Sequence, residues 1–176
     1  MNRVAIAALV ALTGMGAPCV LAQGYPTRTI RLVVPSSPGG GTDITGRILA
    51  HKLSEQLGQQ VVVDNRAGAG TTIGNDIVAK SAPDGYTLLM GISTLAINPS
   101  MYSALPYDAL RDFAPISQAV KVPNVLTVHP SVPAKTVKEF IALAKAKPGS
   151  ITFGSAGLGT SPHLSMELFL VMTGLK

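Results

Sequence analysis

Cysteine is nearly absent from this 176-residue chain, and tryptophan is absent altogether. The single cysteine, Cys19, falls in an amino-terminal stretch that reads as a removable leader. The rest of the chain therefore has no disulfide framework, no cysteine-based metal site and no thiol nucleophile. Aromatics make up 5% of the residues and offer no platform for stacking bases. Charges are sparse as well, and they leave a formal balance of +5. Lys135, Lys138, Lys145 and Lys147 surround one predicted helix and the other basic residues are scattered. That pattern is a solvated surface, not a nucleic-acid footprint. A mild positive potential still favours small anions.

Familiar catalytic and nucleotide signatures are missing too. No Gly-Lys dipeptide occurs, which excludes a Walker loop. "GAGTTIG" (Gly68 to Gly74) spaces its last glycine one residue too far for a dinucleotide fingerprint. The serine elbow Gly-x-Ser-x-Gly is absent. His51, His129 and His163 lie too far apart in sequence for paired metal ligation. Asp43 and His163 are the only candidates for acid–base work, and no forced acid–base pair emerges. No cofactor and no metal is expected.

What is present begins with a leader. Arg3 supplies a positive start, Val4 to Leu12 is an apolar run too short to span a bilayer, and Val20-Leu21-Ala22 suits a signal peptidase. Residues 1–22 are expected to be a signal peptide cleaved after Ala22, which implies export to the periplasm. Lipid attachment at Cys19 fits poorly because Pro18 precedes it. Loss of Arg3 leaves 13 basic and nine acidic residues, a balance of +4.

From Tyr25 onward, strand-like and helix-like patterns alternate. Ile30 to Val34, Val61 to Val63, Tyr86 to Met90, Ile116 to Val122, Val125 to His129 and Ile151 to Phe153 read as strands. Ile44, Ile48, Leu49, Leu53 and Leu57 recur at the helical period, with Thr42 or Asp43 as the cap and Gly58 as the stop. Ile73, Ile77 and Val78 mark a second helix. Thr136 and Glu139 match a capping box before a helix with Val137, Phe140, Ile141 and Ala144 on its apolar face. A last helix carries Leu164, Leu168, Phe169 and Met172. Such alternation predicts an α/β fold with a mostly parallel sheet.

Two glycine-rich loops stand at the same kind of place, between a strand and a helix. The first runs from Ser36 to Asp43 and the second from Gly154 to His163. Helix starts carry unpaired N–H donors and partial positive charge, so they favour anions. Glycine lets a ligand approach the backbone closely. Ser36, Ser37, Thr42, Ser155, Thr160 and Ser161 add short hydroxyl donors. The candidate site is a cleft that grips carboxylate or phosphate through backbone amides; tight turns with no ligand remain the alternative.

At these loops the sequence resembles a known family. "YPTRTIRLVVPSSPGGGTD", "VVVDNRAGAG", "APDGYTLLMG", "AINPSMY", "LPYDALRDFAP", "PAKTVKEFIALAKAKPG" and "FGSAGLGTSPHL" occur in the order found in the substrate-binding receptors of tripartite tricarboxylate transporters, the Bug or TctC-like family. The resemblance implies a type II periplasmic binding protein fold, with two α/β lobes and ligand held in the cleft. It implies lobe 1 over residues 23–120 and an incomplete lobe 2 over 121–176, because family members are about twice this length and the likeness stops inside the second lobe. The implied ligand is a small carboxylate, a di- or tricarboxylate or an acidic amino acid. The implied partners are the transporter's membrane subunits, and the full-length proteins are expected to be monomers. Carried onto this chain, the ligand residues are Ser36, Ser37, Gly40, Gly41, Thr42 and Asp43 in the first loop. Ser155, Ala156, Gly157, Gly159, Thr160 and His163 supply the second, and Thr94 stands in a further wall at Ser93 to Asn98. Many relatives carry an aromatic residue at the position of Ser36, so a serine implies a more open, more polar pocket. An enzyme acting on a small anion and a non-functional fragment of the receptor are the competing readings.

Overall fold

The computed structural model describes residues 24–175, so the expected leader lies outside them. Strand β1 (Ile30–Val34) is the centre of a three-stranded parallel sheet, flanked by β2 (Val61–Asn65) and β3 (Thr87–Leu89). Leu32 stands opposite Val63 on one side and Leu88 on the other. A central parallel strand is covered on both faces and reads as a nearly continuous apolar run, here interrupted only by Arg31. Accordingly Ile30, Leu32, Val33 and Val34 are all buried. Arg31 Nε donates to Asp64 Oδ2 at 2.6 Å across the β1–β2 pair, and Arg66 joins the same carboxylate. Desolvation pushes the Asp64 carboxyl up, but the two guanidiniums outweigh it and hold the group below its ordinary value.

Helix α1 (Gly41–Leu57) covers the sheet, with Ala50 in the core cluster and Leu49, Leu53 and Leu57 packed against it. The expected apolar face is only half right. Ile44 and Ile48 are exposed at 53% and 61%, and the surface turned inward is instead Asp43, Gly46 and Ala50. Gly46 explains the choice: a Cβ there would lie 3.0 Å from Val34 Cγ2. Small residues let the helix backbone approach the sheet, so that side excludes the bulky isoleucines. Gly58, in the left-handed conformation at φ 65, ends the helix as expected.

A 3-10 turn (Ala69–Thr71) leads into α2 (Thr72–Ala79), and α3 (Thr94–Met101) follows β3. Beyond these, α4 (Val137–Ala146) and α5 (Ser161–Thr173) meet through Phe140 and Phe169, whose ring centres are 6.3 Å apart. The expected cap of α4 is present. Thr136 Oγ1 accepts from the Glu139 N–H at 3.2 Å, and Glu139 Oε2 accepts from the Lys135 N–H at 2.7 Å.

Three expected strands do not form. Ile116 to Val122, Val125 to His129 and Ile151 to Phe153 carry no ladder pairing. A strand persists through hydrogen bonds to a neighbour, and among the described residues none lies beside these segments. Their apolar side chains remain open: Ile116, Val122 and Val125 are 81%, 77% and 75% exposed.

Candidate functional site

Because β1, β2 and β3 run parallel, their carboxyl ends share one edge of the sheet. Ligands of open parallel sheets bind at that edge. The first glycine loop leaves it from β1. Pro35 is buried, Ser36 is half-buried, and Ser37 to Gly41 are exposed. Gly39 sits at φ 83, a conformation that favours glycine.

Neither Thr42 nor Asp43 caps α1. Gly40 occupies the cap position, with no side-chain hydrogen bond to the helix start. The first-turn N–H groups of an α-helix have no acceptor within the helix itself. Here they add to the positive end of the helix dipole beside exposed glycine backbone, a geometry that suits an anion.

Asp43 points inward and is 2% exposed. Its Oδ2 accepts from the Gly39 N–H at 2.8 Å and from Arg47 Nε at 3.0 Å. Its Oδ1 accepts from Asn65 Nδ2 at 2.9 Å. Asn65 Nδ2 also donates to the Ser36 carbonyl at 3.1 Å, and Arg47 donates to Asn65 Oδ1 at 3.1 Å. The carboxylate therefore braces both ends of the glycine loop from beneath. The bonds from Arg47, Gly39 and Asn65 lower its pKa from 3.8 to about 2. A carboxylate so stabilised makes a poor general base near neutral pH.

The loop after β2 is the second wall. Ala69, Gly70 and Thr71 take φ values of 46, 59 and 76, three left-handed residues in succession. Gly74, at the start of α2, packs against the exits of β1 and β2: a Cβ there would meet Pro35 Cβ at 2.8 Å and the Arg66 carbonyl at 2.9 Å. The loop after β3 ends at Thr94, which is 2% exposed and whose hydroxyl lies 2.7 Å from that of Thr71.

The second glycine loop lies elsewhere in the chain. Ser155, Ala156 and Gly157 are exposed, and Gly159 is buried. Gly157 and Gly159 have φ of 121 and 74. Thr160 Oγ1 donates to the Gly157 carbonyl at 2.6 Å, and Ser155 Oγ accepts from the Gly157 N–H at 3.3 Å. His163 Nδ1 accepts from the Gly159 N–H at 3.4 Å, and its ring lies 6.3 Å from that of Phe153. Asn124 Nδ2 donates to Ser161 Oγ at 2.8 Å and to Ser165 Oγ at 2.7 Å, tying the extended segment to the start of α5. Met101, at the end of α3, reaches this loop, since a Cβ on Gly159 would lie 3.5 Å from its Cε.

Ser36 to Asp43 and Thr94 thus gather at one sheet edge, while Ser155 to His163 form the start of α5 next to the far end of α3. Among the described residues no hydrogen bond joins the two glycine loops. Sequence reasoning missed Arg47, Asn65, Asn75 and Tyr107, and reached Asn98 only as the end of the wall that begins at Ser93. A signal existed for Asn65 alone, a polar residue directly at the end of an apolar strand. A cavity of about 40 Å³ between α4 and α5, lined by Phe140, Phe153, Met166 and Leu170, touches neither the first loop nor α1. That volume has room for water-sized groups only. No group of three or more His, Cys, Asp or Glu that could hold a metal ion occurs among the described residues.

The parallel sheet and its loop-bearing carboxyl edge define a class, the open α/β sheets that bind ligands at that edge, and solved periplasmic binding proteins share this architecture. An R. palustris protein solved with adipate superposes with a TM-score of 0.83 at 40% identity, over 87% of this chain and 52% of that one. MatC from Rhodopseudomonas palustris, solved with bound malate, gives 0.73 at 28% identity, over 86% of this chain and 52% of that one. In sequence, protein BugT of Bordetella pertussis is 46% identical over 171 residues, covering 96% of this chain and 52% of BugT. The profile of the tripartite tricarboxylate transporter family receptor matches residues 45–176. The chain belongs to that receptor family, whose members are solute-binding proteins and not enzymes. It spans about half the length of the curated relatives it matches.

Proposed function

We propose that this chain supplies the ligand-gripping edge of a periplasmic receptor that captures a small carboxylate for the membrane subunits of a tripartite tricarboxylate transporter. The observation that carries the reading is the α1 start: an open glycine loop, no side-chain cap, and a neutralised aspartate bracing the loop from beneath. A ligand carboxylate would accept from the amides around Gly40, Gly41 and Thr42, beside Ser36 and Ser37. In this reading residues 23–120 form one lobe and 121–176 contribute to a second, and Ser155 to His163 approach the ligand from that side. The relatives solved with adipate and malate support a dicarboxylate.

The test is calorimetric titration of the chain with adipate, malate, citrate and glutamate, with a neutral diamide as control. Saturable binding of a carboxylate, weakened by Gly41→Val, is the expected result. Absence of binding across the panel at millimolar concentration, in a chain that melts cooperatively, refutes it.

A further inference from the structure

Behind the ligand edge lies a buried polar cluster that belongs to none of its loops. Asn75 on α2, Asn98 on α3 and Tyr107 are 1%, 2% and 7% exposed. Asn98 Nδ2 donates to the Gly70 carbonyl at 2.9 Å, with longer approaches of 3.4 Å to Thr72 Oγ1 and to the Tyr107 hydroxyl. Asn75 Nδ2 donates to the same Tyr107 hydroxyl at 3.0 Å and to Thr71 Oγ1 at 3.3 Å. Three sequence stretches, "AGAGTT", "AINPSMY" and "LPYD", meet at this point.

The turn they hold is strained. Two of its three left-handed residues, Ala69 and Thr71, carry a Cβ, and such residues persist only where their surroundings over-determine them. Gly70 between them is also crowded, since a Cβ there would come within 2.7 Å of the Tyr102 hydroxyl. Thr71 at φ 76 is followed by Thr72 at φ −58. A left-handed residue followed by a right-handed one turns successive N–H groups into a concavity that suits an anion.

We propose that Asn98 is a positioning residue: by clamping Gly70 to α3 it fixes the turn after β2 and so sets the shape of the ligand edge. This rests on the carboxylate-receptor reading above. Asn98 is too buried to offer its amide to a ligand at the edge. It acts through the Ala69–Thr71 turn and, through Thr71, on Thr94. Tyr107 is the second anchor of the clamp because its hydroxyl serves both asparagines.

Two variants test the clamp in the chain as it stands. Asn98→Asp keeps the size and replaces the donor with an acceptor. Tyr107→Phe keeps the ring against Phe113, whose centre is 5.7 Å away, and removes the shared hydroxyl. Hydrogen exchange of the ligand-free protein should show the Gly70–Ile73 amides exchanging about tenfold faster in both variants, with the Leu32–Val34 amides unchanged. Titration with adipate and malate should show binding of either weakened about tenfold. Equal acceleration in β1 makes Asn98 a general packing residue and overturns the proposal, as does unchanged exchange at Gly70–Ile73. Faster local exchange with undiminished affinity overturns it too. If Asn98→Asp fails to fold, Tyr107→Phe alone decides. If the unsubstituted chain binds none of adipate, malate, citrate and glutamate, the receptor reading fails, and the proposal with it, even where exchange shows the clamp itself to exist.

Discussion

Replacing Gly74 with alanine should lower stability even though alanine is the better helix former. The site lies in the first turn of α2, is buried, and does not need a left-handed backbone. Helix propensity alone would favour alanine by about 1 kcal/mol. Against this stands the added methyl, which would meet Pro35 Cβ at 2.8 Å, Pro35 Cα at 2.9 Å and the Arg66 carbonyl at 2.9 Å, where ordinary contact begins near 3.4 Å. Two of these three neighbours are backbone atoms at the exits of β1 and β2, so they cannot rotate away. Overpacking against such a wall costs about 3 kcal/mol, the upper part of the usual range. The net loss is then about 2 kcal/mol, a fall in melting temperature of about 4–8 °C for a domain of this size. Gly46→Ala is the control. Its methyl comes within 3.0 Å of one side-chain atom, Val34 Cγ2, and meets Leu32 and Met90 at an ordinary 3.9 Å, with no backbone atom in the way, so the propensity gain offsets more of the overlap and the loss is smaller than at Gly74. Thermal unfolding followed by circular dichroism at 222 nm compares the two directly. A Gly74→Ala chain that melts at or above the unsubstituted one would refute the packing argument.

Two further outcomes are expected. The Asp43 pKa is about 2 in the fold against 3.8 for the free side chain, so the carboxylate stabilises the fold fully above pH 3.8 and loses that contribution as pH falls towards 2. Urea midpoints at pH 5, 3.5 and 2 should therefore show Asp43→Asn less stable at pH 5 and the gap closing towards pH 2; a gap independent of pH contradicts the assignment. Thr136→Ala should cost about 1 kcal/mol through loss of the α4 cap, and the urea midpoint of α4-region exchange measures it; a change below about 0.3 kcal/mol would remove the cap from the account.

Much of the first half was legible in the sequence because its signals are local. Ile30 to Val34 is apolar but for Arg31 because the strand is central, and Gly58 and, further on, Thr136 are helix-end residues that act within one turn of their own helix. The capping box was found because both partners lie within three residues of each other. What failed was non-local. Ile44 and Ile48 fit the helical period but lost their place to Gly46 and Ala50, a choice made by how closely the sheet approaches. Ile116 to Val122 and Val125 to His129 have strand composition but no neighbour to pair with among the described residues. The clamp around Asn98 was invisible for the same reason: Asn75, Asn98 and Tyr107 are spaced across more than one helix, and no short motif joins them.

An acidic side chain beneath an anion site looks like a contradiction, and the distances resolve it. An uncompensated carboxylate near Gly40 would repel an incoming anion through a poorly screened medium. Here Arg47 lies 3.0 Å from the Asp43 carboxylate and places a positive charge against it. The Gly39 N–H and the Asn65 amide take up further lone pairs. What remains at the loop is the positive end of α1, while the amide of Gly39, just before the cap, is committed to the brace. The loop thereby exchanges one potential ligand donor for a fixed geometry. A fixed array of amides binds a carboxylate better than a larger mobile one, because ordering a glycine-rich loop costs about 1–2 kcal/mol per residue. On this reasoning Asp43 is best understood as part of the scaffold that makes Gly40, Gly41 and Thr42 usable, and not as a group that meets the ligand.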